Sequence, residues 1–162
     1  MNYKKIIFIV IVLLLDQISK YFISVNNVFF TVINDFFFIE YAENKGAAFS
    51  ILSGQNIMLI IITIVLIFII YKIMKTYKDG IINDISFGLL YGGILGNLLD
   101  RLFLGYVRDF ISFKFGNYYY PTFNIADSAI VIGAAIIIVA TIVEEVKNHG
   151  NKSRRRQKRE TR

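Results

Sequence analysis

The chain contains no cysteine and a single histidine, His149, and each shortage excludes a class of chemistry. Without cysteine the protein can have neither a disulfide framework nor a thiolate nucleophile. One histidine in a basic tail is too few for a histidine-based zinc site or a Ser-His-Asp triad. Any catalysis must therefore rely on carboxylates, and we expect neither a metal ion nor another cofactor.

Charged residues are also scarce, at 19% of 162 residues, whereas apolar residues make up 56% and the mean hydropathy is +0.56. This is more apolar surface than one small soluble core can bury. Four apolar segments are long enough to cross a membrane as helices: about residues 6–23, 57–73, 81–99 and 128–143. The first also resembles the start of a secretory signal, but no small-x-small cleavage site follows it. The sequence therefore predicts an all-α polytopic membrane protein with four transmembrane helices.

The distribution of basic residues predicts how these helices are oriented. With four spans, 13 of the 18 Lys and Arg residues fall on one side, which the positive-inside rule places in the cytoplasm together with both termini. We assign residues 1–146 to the membrane domain and residues 147–162 to a basic cytoplasmic tail that is too charged to fold alone. A basic segment beside a membrane favours anionic lipid as its partner, and we expect no nucleic-acid ligand.

Two stretches between the first and second spans have the composition of short strands. Residues 28–32 and 36–41 are rich in aromatic and β-branched side chains, and Asn34-Asp35 between them is typical of a turn. We expect a small extracytoplasmic β-sheet platform at the membrane surface. The segment from about 102 to 123 is interpreted as a loop, with tyrosines at the headgroup level.

Polar and small residues in the first and third spans suggest close helix packing near a polar site. Gly88, Gly92 and Gly96 recur every four residues, so one stripe of the third span lacks side chains. Asp16 and Lys20 are also four residues apart, share a helix face and can pair. Three polar residues end the third span: Asn97, Asp100 and Arg101. For these polar groups a structural role and a place beside a substrate are both open.

Two further carboxylates, Asp109 and Asp127, lie at the ends of the segment before the fourth span. An ionisable group at or inside a membrane span marks a functional site by default. Two carboxylates brought close together cannot both ionise cheaply, so one can act as an acid and the other as a base. This is the chemistry of an aspartic protease. A small proton-coupled transporter or channel subunit is the alternative, although the polar residues cluster at one end of the bundle rather than at its middle.

Four stretches of this sequence, in order, resemble the motifs of the bacterial lipoprotein signal peptidases, also called signal peptidase II. The first two are residues 16–20, Asp-Gln-Ile-Ser-Lys, and residues 44–49, Asn-Lys-Gly-Ala-Ala-Phe. The third comprises residues 93–101, Gly-Ile-Leu-Gly-Asn-Leu-Leu-Asp-Arg, with Gly105, Val107, Asp109 and Phe110. The fourth is residues 123–128, Phe-Asn-Ile-Ala-Asp-Ser. Each motif is weak alone, but four in order on four predicted spans are specific.

The resemblance implies a membrane aspartic endopeptidase in the bacterial plasma membrane, with its active site near the outer leaflet. Its substrate would be a prolipoprotein that carries diacylglycerol on a cysteine, and cleavage just upstream of that cysteine would release the signal peptide. The implied catalytic pair is Asp109 and Asp127. The implied substrate-binding or supporting residues are Asn97, Arg101, Asn124, Asn44, Gly46, Asp16, Lys20 and Asp100. We expect a monomer whose other partners are membrane lipids.

Overall fold

The computed structural model of the chain describes residues 2–46 and 52–160. Its elements, in chain order, are α1 (Tyr3–Val25), β1 (Phe29–Ile33), β2 (Phe37–Asn44), α2 (Asn56–Met74), α3 (Ile81–Phe103), β3 (Val107–Phe115), β4 (Tyr118–Tyr119) and α4 (Ile125–Glu160). Within the described ranges, four helices are long and apolar enough to cross a membrane: Tyr3–Val25, Asn56–Met74, Ile81–Phe103 and Ile125–Lys147. The prediction of four spans is confirmed. Ala47, Ala48 and Phe49 of the second motif lie outside the described residues.

Helix α3 is the centre of the bundle because glycines on α3 and on α4 let α1 and α4 approach its backbone. A Cβ atom at Gly92 would lie 2.6 Å from the Cβ of Val12 on α1. On the α4 side, a Cβ atom at Gly133 would lie 2.7 Å from the carbonyl oxygen of Ser86 on α3. Small residues at such contacts are typical of membrane helix pairs, in which the driving force is close van der Waals packing. The expected glycine stripe therefore does pack against other helices.

The remaining helix, α2, packs mainly on α3. Its last residue, Met74, joins a buried cluster with Ile9, Phe87, Leu90 and Tyr91. Most other α2 side chains are exposed, including Phe68 at 60% and Ile57 at 75%. An apolar helix with this exposure faces lipid over most of its circumference.

A buried ion pair fastens the end of the bundle at which α1 and α3 begin. The Lys5 ammonium lies 3.0 Å from a carboxylate oxygen of Asp84 and 2.6 Å from one of Asp79. Asn2 also donates to Asp84 (3.0 Å). Lys5 and Asp84 are 4% and 2% exposed, so this lysine is committed to a partner inside the protein. Removal of one partner leaves the other charge buried without compensation, which is strongly destabilising. The contact therefore holds α1 and α3 together at this end of the bundle.

The four strands form one antiparallel sheet in the order β1-β2-β3-β4. Strands β1 and β2 and the turn around Asn34-Asp35 match the two predicted strands, and Asp35 adopts the left-handed φ of 57° that such turns use. The interpretation of residues 102–123 as a loop is wrong, because β3 and β4 lie within it. The alternation of Ile111, Phe113 and Phe115 with polar residues was the available signal. The confirmed platform therefore has twice the expected number of strands.

Helix α4 continues beyond the membrane segment, to Glu160. The sequence predicts disorder from residue 147 onward, whereas the structure extends the helix through this basic stretch. Lys, Arg, Gln and Glu all have high helix propensity, so a helix that is already nucleated in the membrane can propagate into the tail. The division of the chain at residue 146 stays a prediction.

Candidate active site

The first turn of α4 holds Asp127 through a reciprocal pair of hydrogen bonds with Asn124. The Asn124 side-chain oxygen accepts from the Asp127 backbone N–H (2.9 Å), and an Asp127 carboxylate oxygen accepts from the Asn124 N–H (3.3 Å). This is a capping box, in which the residue before the helix and the third helical residue each satisfy a free N–H of the other. Asp127 therefore has one carboxylate oxygen fixed by the helix start, while the other points toward its neighbours.

A bulge beside Asp109 sets the direction of the second carboxylate. Phe110 and Ile111 of β3 both donate their N–H groups to the Phe123 carbonyl oxygen, at 2.9 and 2.8 Å. Across the sheet, the pairing of β2 with β3 shifts between Ile39 and Ala42, the residue opposite Asp109. An extra residue in a strand bends it and re-aims the adjacent side chains. Asp109 is only 2% exposed as a result.

Asn124 brings the two carboxylates into one cluster. Its side-chain amide donates to Asp109 (2.6 Å), while its side-chain oxygen and backbone N–H hold Asp127. Burial raises the pKa of Asp109 to about 7, and the charge of Asp127 acts in the same direction. Hydrogen bonds donated to Asp109 by Asn44 and Asn124 oppose the rise, because they favour the ionised form. The predicted closeness of Asp109 and Asp127 is present.

The electrostatic effect of Asp127 on Asp109 gives a direct prediction. In Asp127→Asn, the pKa of Asp109 should fall below about 7, because the neighbouring negative charge is gone, yet stay above its ordinary value because burial remains. Carbon-detected NMR of protein labelled at the Asp carboxyl carbons measures this titration. An unchanged or higher pKa of Asp109 in the variant would contradict the coupling.

The raised pKa of Asp109 also predicts how the stability of the protein changes with pH. A raised pKa means that the folded protein holds the Asp109 proton at pH values where the unfolded chain has released it. The Asp109 contribution to the free energy of unfolding should therefore fall as pH rises from about 4, the ordinary value, through the folded-state value of about 7. Thermal unfolding of the wild type and of Asp109→Asn in detergent, compared across this window, measures that contribution.

Lys20 and Asn97 position Asp127 from the other side. The Lys20 ammonium donates to the Asn97 side-chain oxygen (2.9 Å), so the amide nitrogen of Asn97 faces the opposite way and donates to Asp127 (2.7 Å). The Asn97 oxygen also accepts from Asn124 (3.2 Å). Lys20 is fully buried, so it acts on the carboxylates through Asn97 and through its charge, and not through contact with a substrate.

Asp16 connects α1 to the start of α4. Its carboxylate accepts from Lys20 at 2.9 Å, the pairing expected from their four-residue spacing, and from the backbone N–H of Ala126 at 2.9 Å. A negative charge at a helix N-terminus is favourable because free N–H groups point outward there. Gly96 makes room for this contact, since a Cβ atom there would lie 2.5 Å from an Asp16 oxygen. Asp16 is completely buried, so its role is to support the position of the residues around it.

Asp100 fixes the start of β3 through Arg108, and sequence reasoning did not assign Arg108 to the site. The Asp100 carboxylate accepts from the Arg108 backbone N–H (2.9 Å) and from two guanidinium nitrogens (2.7 and 3.2 Å). Gln17 was also missed: it donates to Asp16 and Asp100 and accepts from Arg108 (3.0 Å). Both missed residues are polar and adjoin a predicted site residue in the sequence, which was the available signal.

Asn44, Gly46 and Arg101 form the opposite wall of the site. Asn44, at the end of β2, donates to Asp109 (2.9 Å) and accepts from the Gly46 N–H (3.0 Å), which fixes the orientation of its amide. Arg101 donates to the Gly46 carbonyl oxygen (3.2 Å). The structure therefore brings all ten predicted residues into one connected cluster, with the catalytic and binding roles still to be assigned.

Two cavities open at this cluster. The first, of about 560 Å³, is lined by Asn97, Arg101, Asp127 and apolar residues of α4. The second, of about 820 Å³, is lined by Asp109 and residues at the end of β2. Asn44, Pro121 and Thr122 line both cavities. Each carboxylate thus borders its own cavity, and these three residues lie where the two cavities adjoin.

No group of three or more His, Cys, Asp or Glu residues with metal-binding geometry occurs in residues 2–46 and 52–160. Each acidic residue of the site instead accepts hydrogen bonds from N–H groups. The chemistry that this arrangement offers is proton transfer between two adjacent carboxylic groups at the edge of the bundle.

The chain is similar to known proteins over most of its length. A family model described as Signal peptidase (SPase) II matches residues 8–143. A lipoprotein signal peptidase of Halothermothrix orenii is 42% identical over 137 residues, covering 82% of this chain and 91% of the relative. One from Francisella tularensis subsp. novicida is 46% identical over 122 residues, covering 72% of this chain and 76% of the relative.

A solved structure titled as a bacterial membrane enzyme, determined by the in meso method at 2.3 Å resolution, has the same fold. It superposes with a TM-score of 0.78 at 38% sequence identity, and the match covers 89% of this chain and 90% of that one. Because the family model spans most of the chain, and the relatives align over most of their own length, the chain belongs to the signal peptidase II family.

Proposed function

We propose that this protein is an aspartic endopeptidase that removes the signal peptide from diacylglyceryl-modified prolipoproteins. The observation that carries the proposal is the pair of buried or half-buried carboxylates, Asp109 and Asp127, joined through Asn124 at two adjoining cavities. Its relatives named lipoprotein signal peptidase support the substrate class. Family membership favours a peptidase over the transporter alternative, for which no observation speaks.

In this mechanism one carboxylate acts as a base and the other as an acid. The ionised carboxylate removes a proton from water as the water oxygen attacks the scissile carbonyl carbon. The protonated carboxyl group gives its proton to the cysteine nitrogen as the C–N bond breaks. The products are a signal peptide with a new carboxylate and a lipoprotein with a free amine, and no acyl-enzyme forms. A pKa of about 7 for Asp109 keeps both of its protonation states accessible near neutral pH.

Arg101 is the better candidate for stabilising the oxyanion. Asn97 and Arg101 both carry N–H donors at the site, but the Asn97 nitrogen is committed to Asp127 and its oxygen to Lys20. Arg101 lines the 560 Å³ cavity, and within residues 2–46 and 52–160 its guanidinium makes one hydrogen bond, to Gly46. Its remaining N–H groups can donate to a carbonyl oxygen that gains negative charge. Asn97 is then a positioning residue for Asp127.

The cavity at Asp127 also suits a substrate that keeps its acyl chains in the bilayer. Its wall includes Val131 and Ile132 of α4, which are 68% and 52% exposed and therefore lie on the lipid-facing side of the helix. A lipidated substrate can enter sideways from the membrane, with its scissile bond at the carboxylates. This places the reaction near a membrane surface, which we assign to the outer leaflet of the bacterial plasma membrane.

The proposal is tested by cleavage of defined substrates. Purified protein, as a monomer in detergent or in liposomes, is incubated with a prolipoprotein that carries the diacylglyceryl group and with the same protein lacking it. We expect release of the signal peptide from the lipidated form only, seen by mass spectrometry. Equal rates on both substrates would overturn the proposed specificity, and no cleavage of either would overturn the function.

The orientation of the chain gives a separate prediction, because the protein has no native cysteine to interfere with labelling. Single cysteines at Asn27 and Asn117, which are exposed around the sheet, should react with an impermeant thiol reagent added to intact cells. A cysteine at Lys78, in the exposed turn between α2 and α3, should be protected until the cells are opened. Labelling of Lys78→Cys in intact cells would contradict cytoplasmic termini.

A further inference from the structure

We propose that the Thr122 hydroxyl is a hydrogen-bond acceptor for a backbone N–H of the substrate, held in that role by Ser112 and Glu40. The inference rests on the proposed peptidase function of the adjacent carboxylates and adds a binding residue to it. Its basis is a short chain of hydroxyl and carboxylate contacts that ends at the two cavities.

The three side chains come together because their elements lie side by side. Ser112 of β3 pairs with Phe38 of β2, and Glu40 lies two residues further along β2, on the same face as Phe38. On the other side of β3, the segment after β4 is held by the Phe123 N–H, which donates to Ile111 (3.1 Å). Ser112 therefore sits between Glu40 and Thr122.

The hydrogens in this chain can be assigned by counting donors. Ser112 Oγ lies 2.6 Å from a Glu40 carboxylate oxygen and 2.8 Å from Thr122 Oγ1. A carboxylate can only accept, so the single hydroxyl hydrogen of Ser112 goes to Glu40. Ser112 is 2% exposed and can then only accept from Thr122, which gives its own hydrogen to Ser112. Thr122 Oγ1 is left with lone pairs and no hydrogen to offer to a third group.

Thr122 lies where the two cavities adjoin. It is one of three residues that line both cavities, and the others are Asn44 and Pro121. Within residues 2–46 and 52–160, its hydroxyl bonds to Ser112 alone. A peptide that extends from one carboxylate to the other presents alternating N–H and C=O groups beside it. A hydroxyl that can only accept favours an N–H and disfavours a carbonyl oxygen, so it fixes the register of the substrate backbone.

The test replaces single substrate N–H groups with ester oxygens. Lipidated substrate peptides carry one ester in place of one amide at successive positions around, but not at, the scissile bond. With the wild type, the ester at one position should raise KM about threefold to tenfold, which is the range expected for the loss of a neutral hydrogen bond. This increase in KM is called the ester penalty, and kcat should not change. Thr122→Val keeps the shape of the side chain and removes the acceptor. In this variant the amide substrate should already have the raised KM, and the ester substrate should have the same KM. Thr122→Ser should keep the ester penalty.

The positioning role of Ser112 and Glu40 is tested in the same assay. In Ser112→Ala and Glu40→Leu, the Thr122 hydrogen is no longer fixed, so the hydroxyl can rotate to donate and the ester penalty should shrink. Glu40→Gln should preserve the penalty, because its amide oxygen can still accept from Ser112. A merely structural role would lower the melting temperature without changing the ratio between amide and ester substrates.

Thr31→Val is the matched control, because it makes the same substitution on β1, away from both cavities. It should leave the ester penalty unchanged. The proposal is overturned if no ester position loses its penalty in Thr122→Val, or if the control changes the penalty equally. Failure of the peptidase function is a different result, in which the wild type does not cleave the all-amide lipidated peptide.

Discussion

Asp109→Asn and Asp127→Asn should each lower kcat on a lipidated prolipoprotein by roughly a thousandfold or more, while the folded protein is retained. The amide keeps the shape of the side chain but cannot take a proton from water or deliver one to the leaving amine. Because the proposed mechanism uses the two carboxylates as one unit, the double variant should be scarcely slower than either single variant. Single-turnover rates, with melting temperatures measured on the same samples, check all three variants.

Asp35→Asn is the matched control for this experiment. Asp35 lies on the same sheet, in the turn between β1 and β2, and its side chain is 91% exposed. Its ion pair with Lys114, at 3.5 Å, is a surface contact of little energetic value. Turnover by this variant should equal that of the wild type. Near-normal turnover by Asp109→Asn or Asp127→Asn would exclude the two-carboxylate mechanism.

Gly93→Ala should strongly destabilise the bundle, although it adds only one methyl group. The new Cβ atom would collide with the carbonyl oxygen of Ala126 and lie 2.8 Å from Ile130 Cγ1 and 3.2 Å from the Ala126 carbonyl carbon. Two of these atoms are backbone of α4 and cannot turn aside, so the helices must separate. Overpacking a tight contact costs about 1–3 kcal/mol, and we expect the upper part of that range. The displacement should also lower activity, because Ala126 adjoins Asp127.

Gly80→Ala is the control, since nothing lies within 4 Å of a Cβ atom there and the φ of 175° is extended backbone that any residue adopts. The melting temperature and the fraction of monodisperse protein in detergent should fall for Gly93→Ala and stay unchanged for Gly80→Ala. If both variants behave like the wild type, the close approach of α3 and α4 described above does not exist.

Features that depend on short sequence spacing could be predicted. The four apolar segments predicted the spans, and the four-residue spacing predicted the pair of Asp16 and Lys20. The recurring glycines predicted the contact surface of α3. Such features follow from the helix period alone, because residues four apart always share a face. The aromatic alternation in residues 28–41 likewise predicted β1 and β2.

Features that depend on distant partners could not be predicted from spacing. The Asp16 carboxylate bonds to the Ala126 N–H, 110 positions away, and Gln17 reaches Arg108, 91 positions away. Nothing local in either segment specifies such a partner. Strand β3 was missed because a bulge follows Asp109 and interrupts the two-residue alternation at its start. The sequence predicted the members of the cluster through the family resemblance, whereas their connections had to come from the fold.

The attachment of Asp127 to α4 has a consequence for the timing of activity in the cell. This helix follows the other three spans in the chain and is therefore synthesised after them. Its first turn is held by Asn124 and by Asp16 of α1. A nascent chain that has inserted its first three spans carries Asp109 but lacks Asp127, and the proposed two-carboxylate mechanism predicts that it has no activity. In the proposed mechanism, activity therefore begins only when the final span has docked against the other helices.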